Sequence, residues 1–208
     1  MTRRQRQQQR RHGVDRRTLG LVLAAVVMLA AALLWTFKPW QPAQQDGLVA
    51  GEIRLASTVG DFALSDLDDD QLAVIFFGYT WCPDVCPMSL AVVRQARQAL
   101  PEEQRRRVVP LMISVDPERD TLERLSEYLE AFGDDFIGAT GSQAELADIG
   151  ERYGVVWRKV ETPESAVEYL VDHSASLYLV DASGEIIERV LHAPTPGPLS
   201  AALDRALN

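Results

Sequence analysis

The stretch Leu72-Ala73-Val74-Ile75-Phe76-Phe77-Gly78-Tyr79-Thr80-Trp81-Cys82-Pro83-Asp84-Val85-Cys86-Pro87 holds the only two cysteines of the 208-residue chain. Its first half is a short run of β-branched and aromatic residues bounded by Gly78, which predicts a buried strand. Residues 89–100 then place Leu90, Val93, Ala96, Arg97 and Leu100 at spacings of three and four, as in a helix with one buried face. Pro87 marks where that helix begins, because proline at the first helical position removes no hydrogen bond and meets no preceding turn. Cys86 therefore falls at or just before a helix N-terminus, and Cys82 in the turn ahead of it. Unpaired backbone N–H groups and the positive end of the helix dipole favour a thiolate there, so at least one thiol should ionise more readily than a free cysteine.

Two thiolates four positions apart can close a disulfide or hold one soft metal ion. As a purely structural link, the disulfide would close a loop of a few residues and stabilise little. A closed zinc site needs four ligands, and no second cysteine pair exists. Soft thiolates select Cu(I), and an added imidazole makes a set that copper accepts in either oxidation state. Three histidines are present. His12 lies in a basic tail before an apolar segment. His192 follows the alternating stretch 185–191 and reads as a partly exposed strand-end residue. His173, in Val171-Asp172-His173-Ser174, directly precedes a strand at 175–181. A metal site and a redox pair both stay open on these residues alone. Among the neighbours, Asp84 is expected to accept hydrogen bonds from the turn's backbone, Met88 to pack, and Trp81 to cover the sulfurs.

Working outward, residues 1–18 carry seven arginines against the single acid Asp15, and residues 19–37 contain no charge. At a helical rise of about 1.5 Å per residue, that apolar segment is about 28 Å long, enough for a hydrocarbon core of about 30 Å. It exceeds the usual core of a cleaved signal and no small-x-small site follows, so an uncleaved transmembrane anchor is expected. The basic tail should stay cytoplasmic and the remainder lie on the outer side. Residues 38–50, with Pro39, Pro42 and Gly47, read as a linker to one domain at 51–208. Of the 21 basic and 30 acidic residues, seven arginines and Asp15 belong to residues 1–37, leaving 14 against 29 and a net charge of −15. Such a domain lacks the basic clusters that bind nucleic acid.

Within the domain, residues 108–115 read as a second buried strand, with Pro110 hinting at an edge-like start. Residues 121–132 form a helix with Leu122, Leu125, Tyr128, Leu129 and Phe132 on one face. Asp120, three residues before Glu123, resembles its capping box. Asp116 ends the strand where functional groups gather in such sheets, and is at most a candidate for supporting the site. A helix at 143–153, a short strand at 155–160, an acidic loop at 161–168, a hairpin of strands 175–181 and 185–191, and a helix at 199–207 complete the pattern. Alternating strands and helices predict an α/β sandwich.

Three blocks in order, Phe77 to Pro87, then Ser114-Val115-Asp116-Pro117-Glu118-Arg119-Asp120-Thr121, then Asp172-His173-Ser174, resemble the signatures of Sco/SenC copper-binding proteins. The resemblance implies a thioredoxin-like fold and copper, as Cu(I) or Cu(II), bound by Cys82, Cys86 and His173. It also implies a metallochaperone that assembles the CuA centre of cytochrome c oxidase subunit II, or a thiol-disulfide oxidoreductase that keeps that centre's cysteines reduced. Other periplasmic copper carriers or thiol reductants would be further partners. With the anchor, it implies a single-pass bacterial inner-membrane protein whose domain is periplasmic. Thioredoxins keep a cis-proline where this chain has His173-Ser174, and an imidazole there favours metal. The chain departs from the family at Asp68-Asp69-Asp70, where an Asp-Gly turn is expected; an acidic loop can also reverse the chain.

Overall fold

Leu72–Gly78 (β4) is buried along its whole length and sits in the middle of an eight-stranded sheet. In the computed structural model the described residues are 48–162 and 167–208, together with Leu21 and Met28, which are helical and exposed. Among them no helix is long and apolar enough to cross a membrane. The expected tail, and the expected span at 19–37 apart from those two residues, lie outside the described residues. So do His12 and residues 38–47 of the linker.

The strands are β1 (Leu48–Val49), β2 (Arg54–Ser57), β3 (Gly60–Ala63), β4, β5 (Val108–Ser114), β6 (Ile137–Thr140), β7 (Trp157–Glu161), β8 (Tyr169–His173), β9 (Leu177–Asp181) and β10 (Glu185–Val190). Their order in the main sheet is β1-β10-β9-β4-β5-β6-β2-β3, while β7 and β8 form a separate antiparallel pair. The helices are α1 (Val85–Gln98), α2 (Glu102–Arg106), α3 (Leu122–Leu129), α4 (Gln143–Tyr153) and α5 (Gly197–Leu207). Helix α1 packs on β4 and α5, and α3 on β6. Because β4 and β5 are parallel with Gly78 opposite Ser114, the segments leaving their carboxyl ends run side by side. That juxtaposition positions everything in the candidate site.

Several expectations need correction. Helix α1 starts at Val85, so Pro87 is its third residue. The first turn has no intrahelical acceptor for its N–H groups, and proline costs nothing there either. Its buried face, Leu90, Val93, Ala96 and Arg97, is as the spacing predicts, and Leu100 is buried just past its end. Pro110 lies inside the sheet, but β6 pairs with β5 only from Leu111 onward, so that end of β5 has a strand on one side alone. The cap of α3 is Thr121, whose hydroxyl accepts from the Arg124 N–H, and not Asp120. Helix α4 begins with a reciprocal Ser142–Glu145 capping box and ends on Gly154 at φ 64°. Leu48 and Val49 pair with β10, extending the sheet into the expected linker. Asp68 and Gln71 close a turn through the Gln71 N–H and the Asp68 carbonyl, so the acidic segment does reverse the chain.

Candidate metal centre

From β4 the chain passes through Tyr79 and Thr80, both buried, and the Val115 N–H donates to the Gly78 carbonyl at 2.9 Å. Thr80 is fastened from below. Its N–H (2.9 Å) and hydroxyl (2.7 Å) donate to the two carboxylate oxygens of Asp120, which also accepts from the Ser114 hydroxyl at 2.6 Å. Asp120 is wholly buried, so all three bonds lie away from water, where leaving a donor unpaired is costly. The turn that follows exposes Cys82 in part and returns to Cys86, the second residue of α1, which is buried. The Cys86 N–H points at Cys82 Sγ, 3.5 Å away. Gly78 must lack a side chain here. A Cβ would lie 2.9 Å from Cys86 Sγ and 2.5 Å from the Phe76 ring.

His173 ends β8 with its ring half buried between Phe76 and Tyr79, both edge-on at 5.8 Å. Its Nδ1 lies 3.0 Å from the Ser174 carbonyl, which can only accept, so Nδ1 carries the proton. Nε2 is left with its lone pair and faces Cys86 Sγ at 3.3 Å. Cys82 Sγ, Cys86 Sγ and the imidazole nitrogen all lie within 4.8 Å of one another. Residues 91 and 87 positions apart in the chain thus supply three converging donors, the requirement for a soft metal ion.

The two sulfurs are unequal. The Cys86 thiol donates to Cys82, which, against the opposing effect of burial and with help from the N–H groups of Cys86 and Asp84, lowers the Cys82 pKa to about 3. Cys86 is pushed up, first by the hydrogen bond its thiol donates to Cys82 and then by burial. One ionised and one protonated sulfur is the arrangement a helix N-terminus promotes.

A family model described as SCO1/SenC matches residues 42–208. The chain belongs to the SCO1/SenC family. It is 34% identical over 140 residues to an SCO2-like protein of Rickettsia conorii, covering 67% of this chain and 68% of that one. Among solved structures it is similar to Bradyrhizobium japonicum ScoI with copper bound, at 35% identity and TM-score 0.66 over 76% of this chain and 98% of that one. It is likewise similar to apo Sco1 of Thermus thermophilus, at 31% identity and TM-score 0.67 over 77% and 92%. These neighbours share the thioredoxin-like Sco fold that the resemblance implies.

Other expected residues fall around this SCO1/SenC site in different ways. His192 lies two residues past β10, exposed, with Nδ1 3.2 Å from the Ser89 hydroxyl, and does not join the three donors. The Asp84 side chain makes no capping bond; its contribution to the turn is the N–H directed at Cys82. Met88 is exposed, and Trp81 is 45% exposed with its ring beside the guanidinium groups of Arg119 (5.8 Å) and Arg124 (5.6 Å). Asp116, wholly buried, accepts from the Tyr169 hydroxyl and from Arg119 and lies outside the donor cluster. Sequence reading missed Tyr79, Asp120 as an anchor, Arg119 and Tyr169. All but Tyr169 lie within the quoted blocks, and only their contacts across the fold reveal them.

Proposed function

We propose that this protein carries copper on Cys82, Cys86 and His173 and delivers it during cytochrome c oxidase assembly, to the CuA centre of subunit II. The observation that carries this reading is the convergence of two sulfurs and one free imidazole nitrogen within 4.8 Å at a partly exposed position. Three donors suit a carrier, because an incoming thiolate can bind the metal before the last protein ligand leaves. The copper bound in the structure of the Bradyrhizobium relative supports the choice of metal. The apolar segment 19–37 supports placement as an anchored inner-membrane protein with its domain in the periplasm, where copper carriers and thiol reductants would be its other partners. Purified reduced protein should bind one copper per chain, and His173→Ala should weaken the Cu(II) form at least tenfold and change its absorption spectrum. Unchanged affinity and spectrum in that variant reject the ligand assignment.

A thiol-disulfide exchange reading is favoured by the unequal sulfurs. The ionised, partly exposed Cys82 would attack a target disulfide, forming a mixed disulfide as the target's other sulfur leaves as a thiolate; Cys86 would then release the reduced target and leave a Cys82–Cys86 disulfide. Cells lacking the protein separate the two readings. Full oxidase assembly with His173→Ala but none with Cys82→Ser selects exchange.

A further inference from the structure

Strand β8 has no strand beside its inner edge among the described residues, where it pairs only with β7. Alternate residues of a strand turn their main-chain groups to the same edge, and two of those on β8 are met by side chains instead of a ladder. The Val171 N–H donates to the Tyr79 hydroxyl at 3.1 Å, and Arg119 Nη1 donates to the Tyr169 carbonyl at 3.0 Å. The guanidinium of Arg119 also lies 3.6 Å over the Tyr169 ring, and its Nε donates to Asp116 at 2.6 Å. The other Asp116 oxygen accepts from the Tyr169 hydroxyl at 2.7 Å. Asp116 and Asp120 belong to one turn, closed by the Asp120 N–H on the Asp116 carbonyl at 3.0 Å. At one end this turn holds Thr80 and thus the sulfur loop; at the other it holds Tyr169 and thus the strand that ends in His173.

We propose that residues 116–120, with Tyr79 and Tyr169, are a positioning clamp that sets the distance between the sulfur pair and the imidazole. None of these side chains belongs to the three-donor cluster; Tyr79, Asp116, Arg119 and Tyr169 act through His173, while Asp120 acts through Thr80 and the sulfur loop. The inference rests on the copper reading above. A neutral hydrogen bond lost at the clamp lets the nitrogen drift while the sulfurs keep their own anchor at Asp120, so the cost falls on the form that needs the nitrogen.

The test is a double-mutant cycle with copper ions as the only probe. Tyr169→Phe and Tyr79→Phe each remove one hydroxyl. Each should weaken Cu(II) binding about five- to tenfold and shift its electron paramagnetic resonance signature toward that of His173→Ala, with Cu(I) affinity changed less than about twofold. In the His173→Ala background neither should change Cu(II) binding further. The clamp is overturned if both variants hold Cu(II) as the wild type does while His173→Ala does not, or if they weaken it equally in both backgrounds, which is general loosening. A His173→Ala protein that binds like the wild type overturns the ligand assignment and the clamp with it, a different pattern. If Tyr79→Phe fails to fold, Tyr169→Phe decides alone.

Discussion

The sulfur loop and the imidazole hairpin are built to different standards. Cys82 and Cys86 follow a central buried strand, Cys86 in the first turn of α1, and the segment leading to Cys82 is anchored by two buried bonds from Thr80 to Asp120, which Ser114 also holds. His173 arrives on a two-stranded sheet that meets the main body through the side chains of Tyr79, Asp116 and Arg119. One donor is therefore part of the core, the second is packed against it, and the third is attached through side chains. For the proposed carrier this division is apt: the softer ligands would hold Cu(I) whatever the hairpin does, and the nitrogen would add a grip that can be altered without dismantling the fold.

The sharpest way to break this contrast is Asp120→Ala. It leaves the Thr80 N–H and two hydroxyls without their buried acceptor, and should destabilise the domain by about 3–5 kcal/mol in chemical denaturation and weaken both copper forms. A loss under about 1 kcal/mol would mean that the loop is held elsewhere. Gly78→Ala should cost about 1–3 kcal/mol, because the added methyl meets Cys86 Sγ and the Phe76 ring that borders His173. Its methyl would press on both regions directly, so normal copper spectra in a destabilised Gly78→Ala protein would show that the site tolerates the crowding. The smallest effect is expected from Lys159→Ala, which removes an exposed ion pair with Glu118 from the outside of the hairpin, and should cost less than about 1 kcal/mol. A larger loss would move the hairpin's main attachment from Tyr79 and Arg119 to its solvent side.

What could be read from residue order follows the same division. Strand β4, the buried face of α1 and the sulfur pair are local patterns, each contained in one apolar period or one turn, and the structure has them where the spacing puts them. The Asp120 anchor was misread because an acid three residues before a glutamate satisfies a capping pattern; only the parallel register of β4 and β5 shows that its partner is Thr80, 40 positions away. Strand β6 escaped because it carries Gly138 and Ala139 in place of bulky residues, and the small side is required where Leu125 and Leu129 of α3 press on the sheet. Strand β8 was assigned to no element because its five residues include Asp172 and His173, and its pairing with β7 spans a connection with no apolar period. The third donor was legible only by resemblance, for nothing near His173 in the chain distinguishes it from His192.

Trp81 offers a practical consequence. Its indole is next to Cys82 in the chain, reaches solvent, and shares the Arg119 guanidinium with Tyr169 on the hairpin. Its fluorescence is thus exposed to both halves of the cluster at once: to quenching by an ion held at the neighbouring sulfur, and to any change in how the arginine stacks as the β8 strand shifts. The molecule carries its own optical gauge, one that needs no dye and reads loading and seating from the same ring.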